Sequence, residues 1–267
     1  MKCQSKSVQA TLEIEGFVLL PPLPEHIFKG AFDLYNESVL PFLSIHEFYS
    51  SISDLNRERT IELNRKLKQI LLEYLELHFE DVRPIVASFI VKPALAETLV
   101  AHQDWTFVDD EPKHSSYNFW IPLVDVKEEN GHLGFYKGSH NLFLGYRASP
   151  SPQYPRIFPE NEETFSKIEY LDMKAGEAVV FNHRVIHTSK PNQTNAFRPA
   201  IILAFTSKEN RLVHTYLKPN SEKSILQKYI VDEDFFDKYS NNELFEIFES
   251  GKELSDYQVK EEIRIQL

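Results

Sequence analysis

The sequence predicts a mainly β fold, a sandwich or barrel with helices flanking it, and three observations carry that prediction. From Arg83 onward about eight short apolar or alternating runs follow one another, separated by Pro, Gly, Asn and Asp. The longest helical periodicity, from about Asp54 to His78, lies ahead of these runs, so helix and strand are segregated rather than alternating. No internal repeat or evident linker divides the chain. Its 267 residues are therefore expected to form a single domain, with a core at about 83–217, helical support at about 24–80 and a helical tail at about 220–267.

Taken in order, Thr11 to Leu20 (TLEIEGFVLL) reads as a strand bent at Gly16 and stopped by Pro21 and Pro22. Pro24 to Val39 reads as a helix, with Pro24 tolerated in its first turn. In the long helix Asp54 is the candidate cap. Leu63, Leu67, Ile70, Leu71, Tyr74 and Leu75 recur at spacings of three and four, with charge opposite them, as on a scaffold helix packed against a sheet. The expected strands are Ile85–Val91, Ser116–Leu123, Leu133–Tyr136, Ile168–Met173, Ala178–Phe181, Val185–Ser189, Ala196–Thr206 and Arg211–Leu217, with Asn130-Gly131 as a turn between two of them. Ala148 to Thr164 holds four prolines and reads as a long excursion from the sheet. Glu233 to Glu249 has an amphipathic helical pattern.

Charge excludes one class of partner. With 40 acidic and 29 basic residues the net charge is −11, which repels a phosphate backbone and opposes a broad nucleic-acid face. Cys3 is the only cysteine, so no intrachain disulfide marks an oxidising compartment. No apolar segment follows Met1 as in a signal peptide, and no run approaches the length of a membrane span. A cytoplasmic monomer or homodimer, acting on a small molecule and not on a membrane, is the expectation.

The informative stretch is His102-Gln103-Asp104-Trp105. His-x-Asp places an imidazole and a carboxylate on one face of a strand, because side chains alternate with period two. A third ligand from a distant strand would complete a two-His-one-carboxylate triangle that leaves metal positions open, as in iron(II) oxygenases. His187 closes an apolar strand that follows a turn at Ala175-Gly176, and His183 shares its parity as a rival. Eleven residues beyond His187, Arg198 opens another apolar strand. If the two strands are antiparallel neighbours, Arg198 returns beside His187, where a guanidinium could take a carboxylate in a two-pronged bond. His26, His46, His78, His114, His132, His140 and His214 lack comparable context and read as structural or exposed.

These residues make a pattern that resembles the phytanoyl-CoA dioxygenase family of iron(II)/2-oxoglutarate oxygenases, from about Gly16 to Phe205. The matching blocks are His102-Gln103-Asp104-Trp105, Trp120-Ile121-Pro122-Leu123-Val124-Asp125 with Glu129-Asn130-Gly131-His132-Leu133, Lys137-Gly138-Ser139-His140, and Phe181…His187-Thr188-Ser189…Arg198. The resemblance implies a double-stranded β-helix (jelly roll, cupin-like) with helices on one sheet. It implies Fe(II) on His102, Asp104 and His187, with 2-oxoglutarate and O2 as co-substrates and Arg198 on the C5 carboxylate. Gln103, Trp120 and Ser189 fall where the family lines the co-substrate pocket. Asn118 shares parity with Trp120, and Lys92 is a weaker candidate.

Relatives that halogenate carry a small residue in place of the carboxylate. An intact Asp104 therefore favours hydroxylation of an unactivated C–H, with release of succinate and CO2, or a related desaturation or ring formation. A non-catalytic ligand-binding jelly roll is the reading from another class, and a zinc hydrolase a third that has no use for Arg198. Trp105 could be core or substrate wall. The acidic loop Asp109-Asp110-Glu111 would suit a cationic, amine- or amino-acid-like substrate.

Overall fold

The strand runs of this chain are apolar on both faces in places, so a sheet built from them has to be covered on two sides. The computed structural model describes residues 2–44, 48–109, 113–148, 158–159, 161–217, 225–252, 254, 256–257 and 259–264. Its larger sheet contains β1 (Phe17–Leu20), β2 (Tyr49–Ser50), β3 (Val82–Lys92), β5 (Ser116–Pro122), β8 (Ala178–Asn182) and β10 (Arg198–Ser207), in the order β1-β8-β5-β10-β3-β2. A smaller sheet contains β4 (Leu99–His102), β6 (Leu133–Tyr136), β7 (Ile168–Leu171) and β9 (His187–Ser189), in the order β4-β9-β6-β7. Every pairing in both sheets is antiparallel. The sheets face each other across a shared core, where the Phe135 ring of β6 lies 4.7 Å from Phe17 of β1 and 5.2 Å from Phe181 of β8. This is the expected jelly roll.

Helices α2 (Glu25–Ser38) and α3 (Arg57–His78) cover the outer face of the larger sheet. On β3, β5 and β10 the odd-numbered Phe89, Val91, Phe119, Ile121, Ile201 and Leu203 join Ile27, Leu34, Leu63, Leu67, Leu71 and Leu75 in one buried cluster. The even-numbered Ser88, Ile90, Asn118, Trp120, Arg198 and Ile202 of the same strands line a cavity between the sheets. That parity split decides which side chains can do chemistry.

Three local expectations are corrected. Thr11–Leu20 is not one strand: α1 (Lys6–Glu15) occupies its first half, capped by the Ser5 hydroxyl, and Gly16 at φ 84° ends that helix before β1 begins. Gly16 is thus a left-handed helix terminator and not a bend in a strand. The cap of α3 is Asn56, whose side chain accepts from Arg59 N–H, whereas the Asp54 carboxylate is bound by the Arg59 guanidinium at 2.6 Å. The tail is not purely helical. Two short helices, α5 (Phe235–Lys238) and α6 (Asn241–Glu249), lie between strands of a third sheet made of β11 (Val213–Leu217), β12 (Ile225–Ile230) and β13 (Val259–Arg264).

The alternation of β12 is obscured by Lys228. That lysine is only 3% exposed because Asp109 and Glu261 pair with it at 2.9 and 2.7 Å. Of the Ala148–Thr164 excursion, positions 149–157 and 160 lie outside the described residues, and its end enters the short helix α4 (Glu162–Ser166). No helix among the described residues is long and apolar enough to cross a membrane.

Leu67 is fully buried at the centre of the α3–sheet contact. Leu67→Ala is expected to cost about 2–5 kcal/mol of stability in urea unfolding, through lost transfer energy and the cavity left behind. A variant as stable as the parent would show that this face is not the core.

Candidate functional site

The centre of the cavity is set by one ladder contact. β4 and β9 are antiparallel neighbours in which His102 stands directly opposite His187, so both rings project to the same side, with centroids 4.2 Å apart. Each ring is oriented by its own backbone: His102 Nδ1 donates to the Val100 carbonyl at 2.8 Å, and His187 Nδ1 donates to the Val185 carbonyl at 3.0 Å. A carbonyl only accepts, so Nδ1 carries a proton in each ring and Nε2 is the nitrogen turned toward Asp104. Both Nε2 atoms face Asp104 Oδ1, at 4.0 Å from His102 and 3.8 Å from His187. One ligand atom from each of the three residues lies within 4.8 Å of the others, a spacing at which one ion can be shared.

β4 ends at His102, so Asp104 hangs beyond the ladder. Its N–H donates to the His183 carbonyl at 2.8 Å, and its Oδ2 accepts from Asn118 Nδ2 at 2.6 Å, leaving Oδ1 directed at the histidines. Burial works against the charge of this carboxyl. The neighbouring His187, His183 and His102 and the Asn118 amide outweigh that effect and hold it below the usual carboxylate range. The group is an anion at neutral pH. Asn118 therefore reaches the cavity as its parity predicts, but its partner is Asp104.

His183 is not a fourth member of the cluster. Its ring is fully buried against Phe107 at 4.7 Å, with Nδ1 and Ser116 Oγ 2.7 Å apart, and burial pushes its pKa down to about 3. Gln103 is also displaced from its expected role. It points away from the cavity and donates to the carbonyls of Arg184 at 2.5 Å and Phe143 at 3.2 Å. Period-two alternation continued from His102 would already send Gln103 to the opposite face, although β4 itself ends at His102.

Arg198 reaches the site by a different route from the one expected. β9 and β10 lie in opposite sheets, so the connection crosses the sandwich and Arg198 faces the cavity from the far wall. Its guanidinium is 3% exposed and lies over the Trp120 ring at 5.3 Å. Arg198 Nε and Nη1 and the Trp120 indole N–H have no hydrogen-bond partner among the described residues. Burial lowers the Arg198 pKa to about 10, which still leaves it protonated at neutral pH. Lys92 stands opposite Arg198 in the β3–β10 register and donates to Ser189 Oγ at 2.9 Å and to the Lys190 carbonyl. Burial, then repulsion by Arg198, brings the Lys92 ammonium down to about 8. Two buried cations stand side by side, and the unused donors of Arg198 give this wall a chemistry suited to an anion.

The cavity holds about 380 Å³, with the three potential ligands at one side and Arg198, Trp120 and Ser189 at another. Phe48, Leu99 and Ser189 also border a second hollow of about 870 Å³. Trp105 lines the cavity and also stacks on Phe107 at 5.7 Å, so it is wall and core together. Of the acidic loop, Asp110 and Glu111 lie outside the described residues. Against the opposing effect of its burial, hydrogen bonds from Lys260 and Lys228 bring Asp109 down to about 2, so its charge is spent on the tail and not on a substrate.

The fold and these side chains define a jelly-roll protein with a His-Asp-His cluster spaced to hold a metal ion. The model of the phytanoyl-CoA dioxygenase (PhyH) family matches residues 35–200, more than half of the chain, and the chain belongs to that family. Phytanoyl-CoA dioxygenase domain-containing protein 1 of Danio rerio is 29% identical over 141 residues, 49% of this chain and 48% of the relative. Ectoine dioxygenase of Nocardia farcinica is 28% identical over 193 residues, 66% of this chain and 61% of that one. The chain spans about half the length of the first curated relatives it matches. Among solved structures, the non-heme alpha ketoglutarate dependent carbocyclase SnoK from nogalamycin biosynthesis shares the fold, with a TM-score of 0.55 at 18% identity, over 78% of this chain and 86% of that one.

If Asn118 orients Asp104, Asn118→Ala should bind Co(II) about 10–100-fold more weakly in a spectroscopic titration. His183→Gln should lose stability and keep its Co(II) affinity.

Proposed function

We propose that the chain is an iron(II)- and 2-oxoglutarate-dependent oxygenase acting on a small metabolite. The observation that carries this reading is a buried guanidinium with unused donors, set in the same cavity as two metal-ready imidazoles and a carboxylate. A metal site alone would serve many chemistries. The added cationic end asks for a co-substrate that is acidic at one terminus. Membership of the family and the likeness to an alpha ketoglutarate dependent enzyme support the same assignment.

In this reading His102, Asp104 and His187 hold iron(II), whose two-imidazole, one-carboxylate donor set suits it and leaves positions open. Arg198, helped by Ser189 and Lys92, takes the distal carboxylate of 2-oxoglutarate, with Trp120 as wall. Bound iron with 2-oxoglutarate and O2 supplies the oxidising chemistry, releasing succinate and CO2. The chain itself supplies the fixed carboxylate, two oriented imidazoles and a cationic anchor. It also supplies an apolar lining, with Leu133, Phe181 and Ile202, that keeps water from the reacting atoms. Hydroxylation of a C–H is the outcome we favour, because Asp104 keeps the position that a halide would need. Desaturation or ring formation would use the same residues.

Purified protein with iron(II), ascorbate and the right metabolite should convert 2-oxoglutarate to succinate, and Asp104→Ala should abolish this. Arg198→Ala should weaken 2-oxoglutarate binding on the order of 100-fold, about 3 kcal/mol for a buried acid left without its partner. Unchanged affinity would refute the anchor. Lys92 is protonated below about 8 and loses its charge above it, so 2-oxoglutarate affinity should fall as pH rises through that value. Lys92→Met should bind more weakly at neutral pH and lack the step.

A further inference from the structure

Of the three residues in the metal cluster, two are held by a β-ladder and one is not. His102 and His187 are locked opposite each other, whereas Asp104 lies two residues past the end of β4. Its geometry must come from elsewhere. Asp104 has three polar handles besides the oxygen that faces the histidines: a backbone N–H, a backbone carbonyl and Oδ2. The His183 carbonyl takes the first, and the Asn118 amide holds the last. The remaining handle, the carbonyl, accepts from Arg147 Nε.

Arg147 is 43 residues further along the chain and only 1% exposed, among the largest side chains buried in the described residues. Burying a guanidinium is costly unless its N–H groups are used, and here they are used on main-chain carbonyls. Besides Asp104, Arg147 Nη2 reaches the Trp105 carbonyl at 3.4 Å and Nη1 the Gly145 carbonyl at 2.7 Å. The Arg147 backbone grips the same segment. Its N–H donates to Thr106 Oγ1 at 2.9 Å, and its carbonyl accepts from Thr106 N–H at 3.1 Å and from Thr215 Oγ1 at 2.6 Å. A planar fork of donors thus spans the consecutive carbonyls of Asp104 and Trp105 and stands in for the ladder that β4 no longer provides.

We propose that Arg147 is the positioning residue of the metal site: its guanidinium fixes the main chain at Asp104 and so aims Oδ1 at the two Nε2 atoms. The inference rests on the metal-binding reading above. Because the fork serves two consecutive carbonyls, a lysine in its place would keep the charge and lose the geometry.

Co(II) binding to metal-free protein, followed by its ligand-field spectrum, tests this without catalysis. Arg147→Met should bind Co(II) about 10–100-fold more weakly, with an altered spectrum, and Arg147→Lys should remain clearly weaker than the parent. Adding guanidinium ion to Arg147→Ala at a non-denaturing concentration should restore part of the affinity. Arg83→Met is the control: Arg83 holds the Asn210 carbonyl and pairs with Glu233 on a surface outside the metal cavity, so it should lose stability with no change in Co(II) affinity. If Arg147→Met fails to fold, the affinity and spectrum of Arg147→Lys decide between the two outcomes. Parental Co(II) affinity and spectrum in the Arg147 variants would overturn the proposal. Absence of Co(II) binding by the parent protein would instead refute the metal centre, and the positioning role with it.

Discussion

Everything in the cavity depends on a register. The cross-strand pair His102–His187 joins β4 to β9 in the smaller sheet, and a slip of one residue on either strand would turn one imidazole out of the cavity. The other features keep that pair useful. The carbonyls of Val100 and Val185 fix the tautomers, and Asn118 reaches across from the larger sheet to present Asp104. The site therefore belongs to neither sheet alone, and it exists because the two sheets meet at a fixed distance over the Phe17–Phe135–Phe181 core.

The opposite wall follows a second constraint, that buried cations need an anion. Lys92 and Arg198 stand side by side in the β3–β10 register, and neither has a carboxylate within salt-bridge distance among the described residues. In the absence of a ligand this arrangement is a cost to the fold. That cost is the usual mark of a binding site, where stability is given up for affinity.

Much of this was legible in the sequence. The His-x-Asp spacing singles out His102 and Asp104 even though β4 stops at His102, period-two alternation places Asn118 with Trp120, and the apolar run opened by Arg198 marks a buried strand with a charge at its head. The long helix announces itself through its leucines. What failed did so for identifiable reasons. Gly16 can bend a strand or end a helix, and only its positive φ distinguishes these. Lys228 breaks the apolar pattern of β12 because its charge is neutralised by residues far away in sequence. Alternation gives the face of a side chain and not its partner. The role of Asn118, the crossing of Arg198 between sheets and the grip of Arg147 all arise from pairings between distant segments, which no local pattern encodes.

The ion pair between Lys228 and Asp109 has a consequence for how the molecule can be divided. Residues matched to the family end at position 200, yet Lys228 and Lys260 lie well beyond that point and fasten Asp109, in the segment that runs on from Asp104. A chain trimmed to the recognisable segment would retain His102, Asp104 and His187 and lose the clamp on the wall beside them, along with the Phe236 ring packed on Phe107. The residues beyond the matched segment are thus mechanically continuous with it, and a substitution at Lys228 or Phe236 reaches the wall of the pocket without touching His102, Asp104 or His187.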